Sequence, residues 1–116
     1  MSVVIYHNPR CSKSRQTLTL LEAQDITPEV IKYLDTPPSV SELKTIYSQL
    51  GFESVRDMMR TKEDVYKEQN LGDESVSDDA LFEAMHNTPK LIERPIVIAN
   101  NKAKLGRPPE QVLDIL

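Results

Sequence analysis

Two short runs of strand-forming residues, separated by a helix-forming stretch, restrict the fold of this chain more than any other feature. Residues 3–6 (VVIY) are β-branched or aromatic, and residues 28–34 (PEVIKYL) form the second run. Between them, residues 12–24 carry leucines at helical spacing, with Ser12 or its neighbour as the N-cap. Because two parallel strands need a long crossover that usually contains a helix, this order predicts a right-handed parallel βαβ unit.

The middle of the chain predicts a series of helices. Ser39 and Glu42 form a capping box, S-x-x-E, at the start of the clearest helix, which ends at Gly51. Its apolar residues follow helical spacing and are Leu43, Ile46, Tyr47 and Leu50. Three shorter helices are expected after it, at residues 55–60, 62–70 and 77–87. We therefore interpret residues 39–90 as a helical insertion.

The C-terminal part returns to a strand pattern. Residues 94–100 (RPIVIAN) read as a strand, and Asn100-Asn101 suits a tight turn, so residues 95–105 are expected to form an antiparallel hairpin. Residues 107–116 (RPPEQVLDIL) predict a short closing helix with prolines near its first turn. Together the elements predict an α/β fold, in which a mixed four-stranded sheet with βαβ and ββα units carries the helical insertion, within one domain of 116 residues.

The composition excludes several classes of protein. Hydrophobic residues make up 39% and charged residues 28% of the chain, which is typical of globular proteins. A net charge of -4 argues against a broad nucleic-acid interface, which needs clustered cations. The N-terminus lacks a signal-peptide pattern and no apolar stretch approaches about 18 residues, so we expect a cytoplasmic protein that binds no membrane. With one cysteine and two histidines, no disulfide scaffold or metal site is expected.

The single cysteine, Cys11, follows the first strand and is expected at the N-terminus of the first helix. A helix N-terminus and nearby cations lower a thiol pKa, and Arg10, Lys13 and Arg15 surround this one in sequence. Backbone N–H groups of residues 12–15 would also point at a bound anion. This interpretation requires a sulfur that an anion can reach. The alternative is that Cys11 is a small buried hydrophobic residue.

The spacing around Cys11 excludes two common thiol chemistries. A C-x5-R phosphatase loop would need arginine where Thr17 stands. A dithiol C-x-x-C motif would need cysteine where Ser14 stands. An oxidised Cys11 must therefore be reduced by a thiol from outside the chain.

Four stretches, YHNPRCSKSR, MMRTK, ERPIVIAN and GRPPEQVLDIL, resemble in order and spacing the glutaredoxin-coupled bacterial arsenate reductases, whose motif is H-N-P-x-C-x-x-S-R. The resemblance spans essentially the whole chain. It implies a thioredoxin-like fold and the reduction of arsenate to arsenite, with arsenate or a similar oxyanion as the substrate. It further implies that no cofactor is bound, that glutathione is a co-substrate and glutaredoxin a partner, and that the protein acts as a monomer.

Residue by residue, the resemblance assigns the nucleophile to Cys11. It assigns oxyanion binding to three arginines, which are Arg60, Arg94 and Arg107. Guanidinium groups suit this role because they neutralise a tetrahedral anion and bind two of its oxygens at once. His7 and Ser14 match the motif and would tune the thiolate as further catalytic residues. The resemblance also implies a cis peptide bond between Arg94 and Pro95.

Three alternatives remain open at this point. A monothiol glutathione-linked reductase of disulfides would use Cys11 but leaves the three arginines unexplained. A non-enzymatic regulator of similar fold, which contacts RNA polymerase, typically carries C-x-x-C, and this chain does not. Finally, Ser12 and Lys13 replace the glycine and threonine usual in arsenate reductases, so a branch acting on a different oxyanion or thiol substrate is also compatible with the motif.

Overall fold

The computed structural model describes residues 2–116 and divides the chain into two compact units. The first unit, up to residue 36 and from residue 94 onward, contains one four-stranded sheet with strand order β2-β1-β3-β4. Its elements are β1 (Val3–Tyr6), α1 (Ser12–Ala23), β2 (Glu29–Ile31), β3 (Ile96–Ala99) and β4 (Lys102–Leu105). Strand β1 is parallel to β2 and antiparallel to β3, and β3 is antiparallel to β4. The predicted α/β fold class with βαβ and ββα units is confirmed.

The register of the strands brings four chain segments to one end of the sheet. Tyr6 at the end of β1 pairs with Ile31 at the end of β2 and with Ile96 at the start of β3. Ile96 in turn pairs with Leu105 at the end of β4. The segments that follow β1, β2 and β4, and the segment that precedes β3, therefore all lie at this end.

The core of the first unit lies between the sheet and the elements that pack on it. Ile5 and Val97, opposite each other on the two central strands, are fully buried, as is Leu21 of α1. Val3, Ala99, Val112 and Ile115 complete the buried cluster. Burying a side chain of this size contributes about 1.5–3 kcal/mol, so these contacts hold α1 and the C-terminal segment to the sheet.

The predicted turn at Asn100-Asn101 is confirmed. Both residues have positive φ, 54° and 63°, as a two-residue hairpin turn with the right twist requires, and asparagine tolerates this conformation well. The Asn100 side-chain amide also donates to the Ile115 carbonyl at 2.7 Å. The turn thus sets the β3–β4 register and holds the C-terminus.

Two predicted elements of the first unit differ in the structure. The closing helix is a 3₁₀ helix, Pro109–Ile115, because Pro108 and Pro109 lack N–H donors and the first turn closes from Gln111 N to Pro108 O at 3.1 Å. The second strand is only Glu29–Ile31, because the chain turns at once, with Asp35 N and Thr36 N both donating to Lys32 O.

The second unit, residues 37–93, is helical, as predicted for the insertion. It contains α2 (Val40–Leu50), α3 (Asp64–Glu68), α4 (Asp78–Asn87) and two 3₁₀ helices, Val55–Met58 and Pro89–Leu91. The capping box is confirmed, with Ser39 Oγ accepting from Glu42 N and Glu42 Oε1 accepting from Ser39 N, both at 3.1 Å. Gly51 ends α2 with φ of 72°. The residue 55–60 segment is 3₁₀ rather than α, because it is only one turn long. That the whole chain is one domain stays a prediction.

In residues 2–116 the longest apolar helical stretches are too short to cross a bilayer.

Candidate functional site

Cys11 lies at the N-terminus of α1, as the sequence predicts. It is the N-cap residue, with φ -92° and ψ 123°, and its carbonyl accepts the first helical hydrogen bond from Arg15 N at 3.0 Å. The loop before it is closed by two bonds to Asn8, from Cys11 N to Asn8 O and from Arg10 N to Asn8 Oδ1, each 3.0 Å. The loop therefore holds the thiol over the first N–H groups of the helix.

His7 and Ser14 form a buried pair beneath this loop. Nδ1 of His7 lies 2.7 Å from Ser14 Oγ, and Oγ also accepts from Asn8 N at 3.0 Å. His7 N donates to Ile31 O at 2.8 Å, which fixes it against β2. Burial lowers the pKa of His7, and the positive charges of Lys32 and Arg15 lower it further, so the ring is neutral near pH 7. The pair positions the loop, and a direct catalytic role for His7 and Ser14 stays a prediction.

The Cys11 sulfur is surrounded by donors. Arg107 Nη2 donates to Sγ at 3.7 Å. The Ser14 N–H, the Arg94 guanidinium and the Lys13 N–H lie close enough to the sulfur to lower its pKa. Burial raises the pKa of the Cys11 thiol, but the Ser14 N–H, the Arg94 guanidinium and the Lys13 N–H outweigh it and hold the pKa below its ordinary value of 9.0. These contacts favour the thiolate.

The thiol is more buried than its polar sequence neighbours suggest, since Cys11 is only 8% exposed. It is nevertheless no ordinary buried hydrophobic residue, because it lies outside the apolar cluster of the first unit and its sulfur faces two guanidinium groups. The alternative that Cys11 is an inert core thiol is therefore disfavoured by its partners rather than by its exposure.

The side-chain cation that lowers the Cys11 pKa most is distant in sequence. This corrects the expectation that the neighbouring charges, Arg10, Lys13 and Arg15, lower it. The largest cationic effect on the Cys11 pKa comes from Arg94. Arg10, Lys13 and Arg15 have exposed side chains. Arg15 instead donates from Nη1 to Pro9 O at 2.9 Å and braces the loop. Only the backbone of Lys13 contributes directly.

Arg94 and Arg107 reach the sulfur because they flank the paired strands β3 and β4 at the end where β1 delivers Cys11. Arg107 Nε donates to the Arg94 carbonyl at 2.7 Å, which fixes the direction of its guanidinium. The Nε of Arg94 is buried and has no hydrogen-bond acceptor among residues 2–116. The cis peptide bond predicted between Arg94 and Pro95 is confirmed, and a second, unpredicted one joins Arg107 to Pro108.

Gly106 and Thr17 are structural members of the site that the sequence analysis missed. A Cβ on Gly106 would collide with Thr17 Oγ1 and lie 2.7 Å from Pro95 Cγ. Thr17 is fully buried and donates to Lys13 O at 2.8 Å. Helix α1 thus approaches the β3–β4 end as closely as a glycine permits. The signal in the sequence was a glycine directly before the Arg-Pro dipeptide.

Arg60 belongs to the second unit, where it follows the 3₁₀ helix Val55–Met58. Its backbone N donates to Leu91 O at 2.7 Å. Its Nε lies 3.0 Å from Glu63 Oε1, but the N–H does not point at the carboxylate, so the contact is an ion pair without a hydrogen bond. The structure thus groups Cys11, Arg94 and Arg107 within one unit, and the anion-binding role of Arg60 stays a prediction.

The mixed four-stranded sheet, with Cys11 at the N-terminus of α1 and two guanidinium groups near its sulfur, defines a thioredoxin-like α/β protein with one thiol in a cationic site. Residues 6–115 match the ArsC family, and the chain belongs to that family. The resemblance to arsenate reductases indicated by the four motifs is confirmed.

Relatives and solved structures agree over nearly the full length. The uncharacterised protein YfgD of Escherichia coli K12 is 58% identical over 114 residues, covering 98% of this chain and 96% of YfgD. An arsenate reductase of Haemophilus influenzae is 55% identical over 116 residues and covers 100% of both chains. The structure of an arsenate reductase from Vibrio cholerae is 70% identical, with a TM-score of 0.99, covering 100% of this chain and 98% of that one.

Proposed function

We propose that this protein reduces arsenate to arsenite, with Cys11 as the nucleophile. The observation that carries the proposal is the Cys11 sulfur, with Arg107 Nη2 at 3.7 Å and with its pKa lowered by the nearby Arg94 guanidinium. A thiolate next to two cations suits attack on a small anion better than attack on a neutral disulfide. The relatives named arsenate reductases support the same substrate.

Arsenate binding would use the arginines as charge-assisted donors. Arsenate carries one to two negative charges at neutral pH, and guanidinium groups can bind two of its oxygens at once. The buried Nε of Arg94, which lacks an acceptor among the described residues, supplies an unused donor for an oxyanion. We assign the anion to Arg60, Arg94 and Arg107, with the sulfur held in line with arsenic.

In the first step the Cys11 sulfur attacks arsenic, an S–As bond forms and one As–O bond breaks. Counted from the thiol and the singly charged arsenate anion, the thiol proton and one hydroxyl group of arsenate leave together as water. Arsenic remains in the +5 state, bound to sulfur and three oxygens, and the product keeps the single negative charge. The arginines stabilise the negative charge on these three oxygens, because negative charge develops there as the sulfur adds to arsenic.

The electrons must come from outside the chain, because Cys11 is its only cysteine. We propose glutathione as the co-substrate. Its thiol attacks arsenic with loss of a second water, which leaves arsenic bound to two sulfurs and two oxygens. A thiol of glutaredoxin then attacks the glutathione sulfur. The bond between that sulfur and arsenic breaks, its electron pair remains on arsenic, now in the +3 state, and glutathione and glutaredoxin leave as a mixed disulfide.

The proton of the glutaredoxin thiol passes to an oxygen of the arsenic that remains bound to Cys11. One water then hydrolyses the last S–As bond, which releases singly charged arsenite and regenerates the Cys11 thiol. A single reactive thiol of this kind stays reduced in a reducing compartment, so we place the reaction in the cytoplasm.

The test is arsenite formation by the purified protein with arsenate, glutathione and glutaredoxin. Cys11→Ser should abolish it, and Arg94→Lys should lower kcat/KM for arsenate about 100-fold, because lysine cannot replace a fixed two-point donor. Arg60→Lys should raise the KM for arsenate by about tenfold or more, since a hydrogen bond to a charged group contributes about 1.5–3 kcal/mol.

Arg56→Lys is the matched control. Its guanidinium donates to the Leu71 and Asp73 carbonyls, so the substitution should affect folding stability but not the KM for arsenate. Unchanged turnover in Cys11→Ser would rule out the proposal. Reduction of mixed disulfides without any arsenite formation would instead identify a monothiol disulfide reductase.

A further inference from the structure

A pocket of about 340 Å³ opens beside the loop that leads to Cys11. One wall is residues 7–10, and the other is formed by Lys32, Leu34 and Asp35, which follow β2. Strands β1 and β2 are the parallel pair of the sheet, and the pocket lies beyond their carboxyl ends. Crevices beyond the carboxyl ends of parallel strands are where α/β proteins most often bind ligands.

Hydrogen bonds fix both walls in place. Asn8 Oδ1 accepts from Arg10 N at 3.0 Å, which shapes the first wall. Lys32 O accepts from Asp35 N at 2.9 Å, which turns the second wall away from β2. His7 N donates to Ile31 O at 2.8 Å and joins the two walls at their base. The pocket is therefore a preformed feature of the first unit, and its volume lies within the range of small-molecule sites.

The charges around the pocket indicate what kind of molecule it fits. Arg10 and Lys32 present two exposed cations, and Asp35 presents one exposed anion. Leu34 adds an apolar surface that is 41% exposed. Two cations and one anion around a small apolar surface complement a short zwitterionic peptide with two carboxylates and one amine.

The proposed reaction requires a thiol from outside the chain, and one wall of this pocket is the loop that leads to Cys11. Arg10, in the pocket wall, is the residue directly before Cys11, so their Cα atoms are about 3.8 Å apart. Cys11 itself does not line the pocket, but Asn8 in the pocket wall accepts from Cys11 N at 3.0 Å. A peptide held by its charged ends in the pocket would have to extend its thiol past this wall toward the Cys11 sulfur. Arg94 and Arg107, which contact that sulfur, do not line the pocket, so arsenate and the thiol would have separate sites.

We infer that this pocket binds the reducing co-substrate as a small dicarboxylate peptide thiol, with its carboxylates on Arg10 and Lys32 and its amino group on Asp35. The part of the inference that makes the thiol a reductant rests on the proposed function. The part that places the peptide in the pocket rests on the pocket alone. The bonds made and broken are those given for the glutathione step above.

Two thiol probes, one charged and one neutral, test the inference kinetically. The probes are glutathione and 2-mercaptoethanol, which has a thiol but no carboxylate. Lys32→Glu and Arg10→Glu should each lower the kcat/KM for glutathione relative to that for 2-mercaptoethanol about five- to tenfold, because each reverses an exposed ion-pair partner. The preference for glutathione should also weaken with added salt.

Lys102→Glu is the matched control. Lys102 is exposed on β4, at the opposite edge of the sheet from β2, and its reversal changes the net charge equally. The glutathione preference should remain that of the unsubstituted protein. Equal losses in Lys102→Glu and Lys32→Glu, or no loss in Lys32→Glu and Arg10→Glu, would overturn the inference.

A binding measurement separates this inference from the proposed function. S-methylglutathione cannot react, so its binding does not depend on turnover. In NMR titrations it should shift amide signals of residues 7–10 and 32–35, and Lys32→Glu should weaken its binding about five- to tenfold. Binding there without arsenite formation would support the inferred site and contradict the proposed reaction. Arsenite formation without shifts in these two segments would contradict the inferred site and support the proposed reaction.

Discussion

Arg107 Nη2 lies 3.7 Å from Cys11 Sγ, although 96 positions separate the two residues in the chain. The approach is a result of strand register, since Tyr6, Ile96 and Leu105 form one row across the sheet. Cys11 follows the strand that ends at Tyr6, and Arg107 follows the strand that ends at Leu105. The Arg94 carbonyl then fixes the guanidinium by accepting from Arg107 Nε at 2.7 Å. The local helix N-terminus supplies the Ser14 and Lys13 N–H groups that act on the sulfur, and the β-sheet adds the two guanidinium groups.

The Cys11 thiolate should be measurable directly. We expect the pKa of Cys11, followed by ultraviolet thiolate absorbance or by the pH dependence of iodoacetamide alkylation, to lie below 9.0, and Arg94→Gln to raise it, since Arg94 is its main cationic partner. Arg56→Gln, far from the thiol in sequence and bonded to backbone carbonyls in the second unit, should leave it unchanged. A Cys11 pKa that is the same in the Arg94 variant would contradict the role given to this guanidinium.

Folding stability should depend on pH through His7. Its pKa is lowered in the folded protein, so between that pKa and 6.5 the unfolded chain binds a proton that the folded chain does not. The contribution of neutral His7 to the free energy of unfolding should therefore be fully present above pH 6.5. It should be lost as the pH falls from 6.5 through the folded pKa of His7. Urea unfolding across this pH range, compared between the unsubstituted protein and His7→Gln, measures it. An equally steep decrease in both proteins would assign the effect to other groups.

Removal of the Ser14 hydroxyl should destabilise the loop before Cys11. Ser14→Ala leaves His7 Nδ1 and Asn8 N without the partner they share, and a buried polar group left unpaired costs about 1–3 kcal/mol. Urea unfolding should show this loss. Ser12→Ala, an exposed position in the same helical turn, is the control and should change the free energy of unfolding by less than about 0.5 kcal/mol. Similar losses in both variants would argue against the buried pair.

A methyl group on Gly106 should move α1 away from the β3–β4 end. Gly106→Ala should cost about 1–3 kcal/mol of stability through overpacking, and it should raise the Cys11 pKa because the guanidinium groups lose contact with the sulfur. Thiol titration of the folded variant checks the second effect. Thr17→Ala in the same protein should restore part of the loss, because it removes the two Thr17 atoms that the new methyl group meets and leaves only the contact with Pro95 Cγ.

Gly72→Ala provides the control for Gly106. There an added Cβ would lie 3.4 Å from the Tyr66 ring, which is ordinary contact, so neither stability nor the thiol pKa should change appreciably. If Gly106→Ala behaves like Gly72→Ala in both measurements, the close approach of α1 has no part in holding the thiol.

Local sequence determined the elements of the fold. The capping box at Ser39 and Glu42, the Asn100-Asn101 turn and the strand run at residues 3–6 are signals that involve only neighbouring residues, and each appears as predicted. The position of Cys11 at a helix N-terminus was also predicted from neighbouring residues alone. The boundaries of β2 and the 3₁₀ geometry of Pro109–Ile115 could not be predicted in this way, because short elements depend on the hydrogen bonds that neighbouring segments leave available.

By itself, then, the sequence determined which segments are helices and strands and that a thiol sits at a helix N-terminus, since such preferences depend on contacts within a few residues. Tertiary structure alone decided which cations face that thiol, how closely Gly106 lets α1 approach, and that residues 7–10 and Lys32 enclose a pocket. These relations join segments distant in sequence, and strand register is what sets their distances.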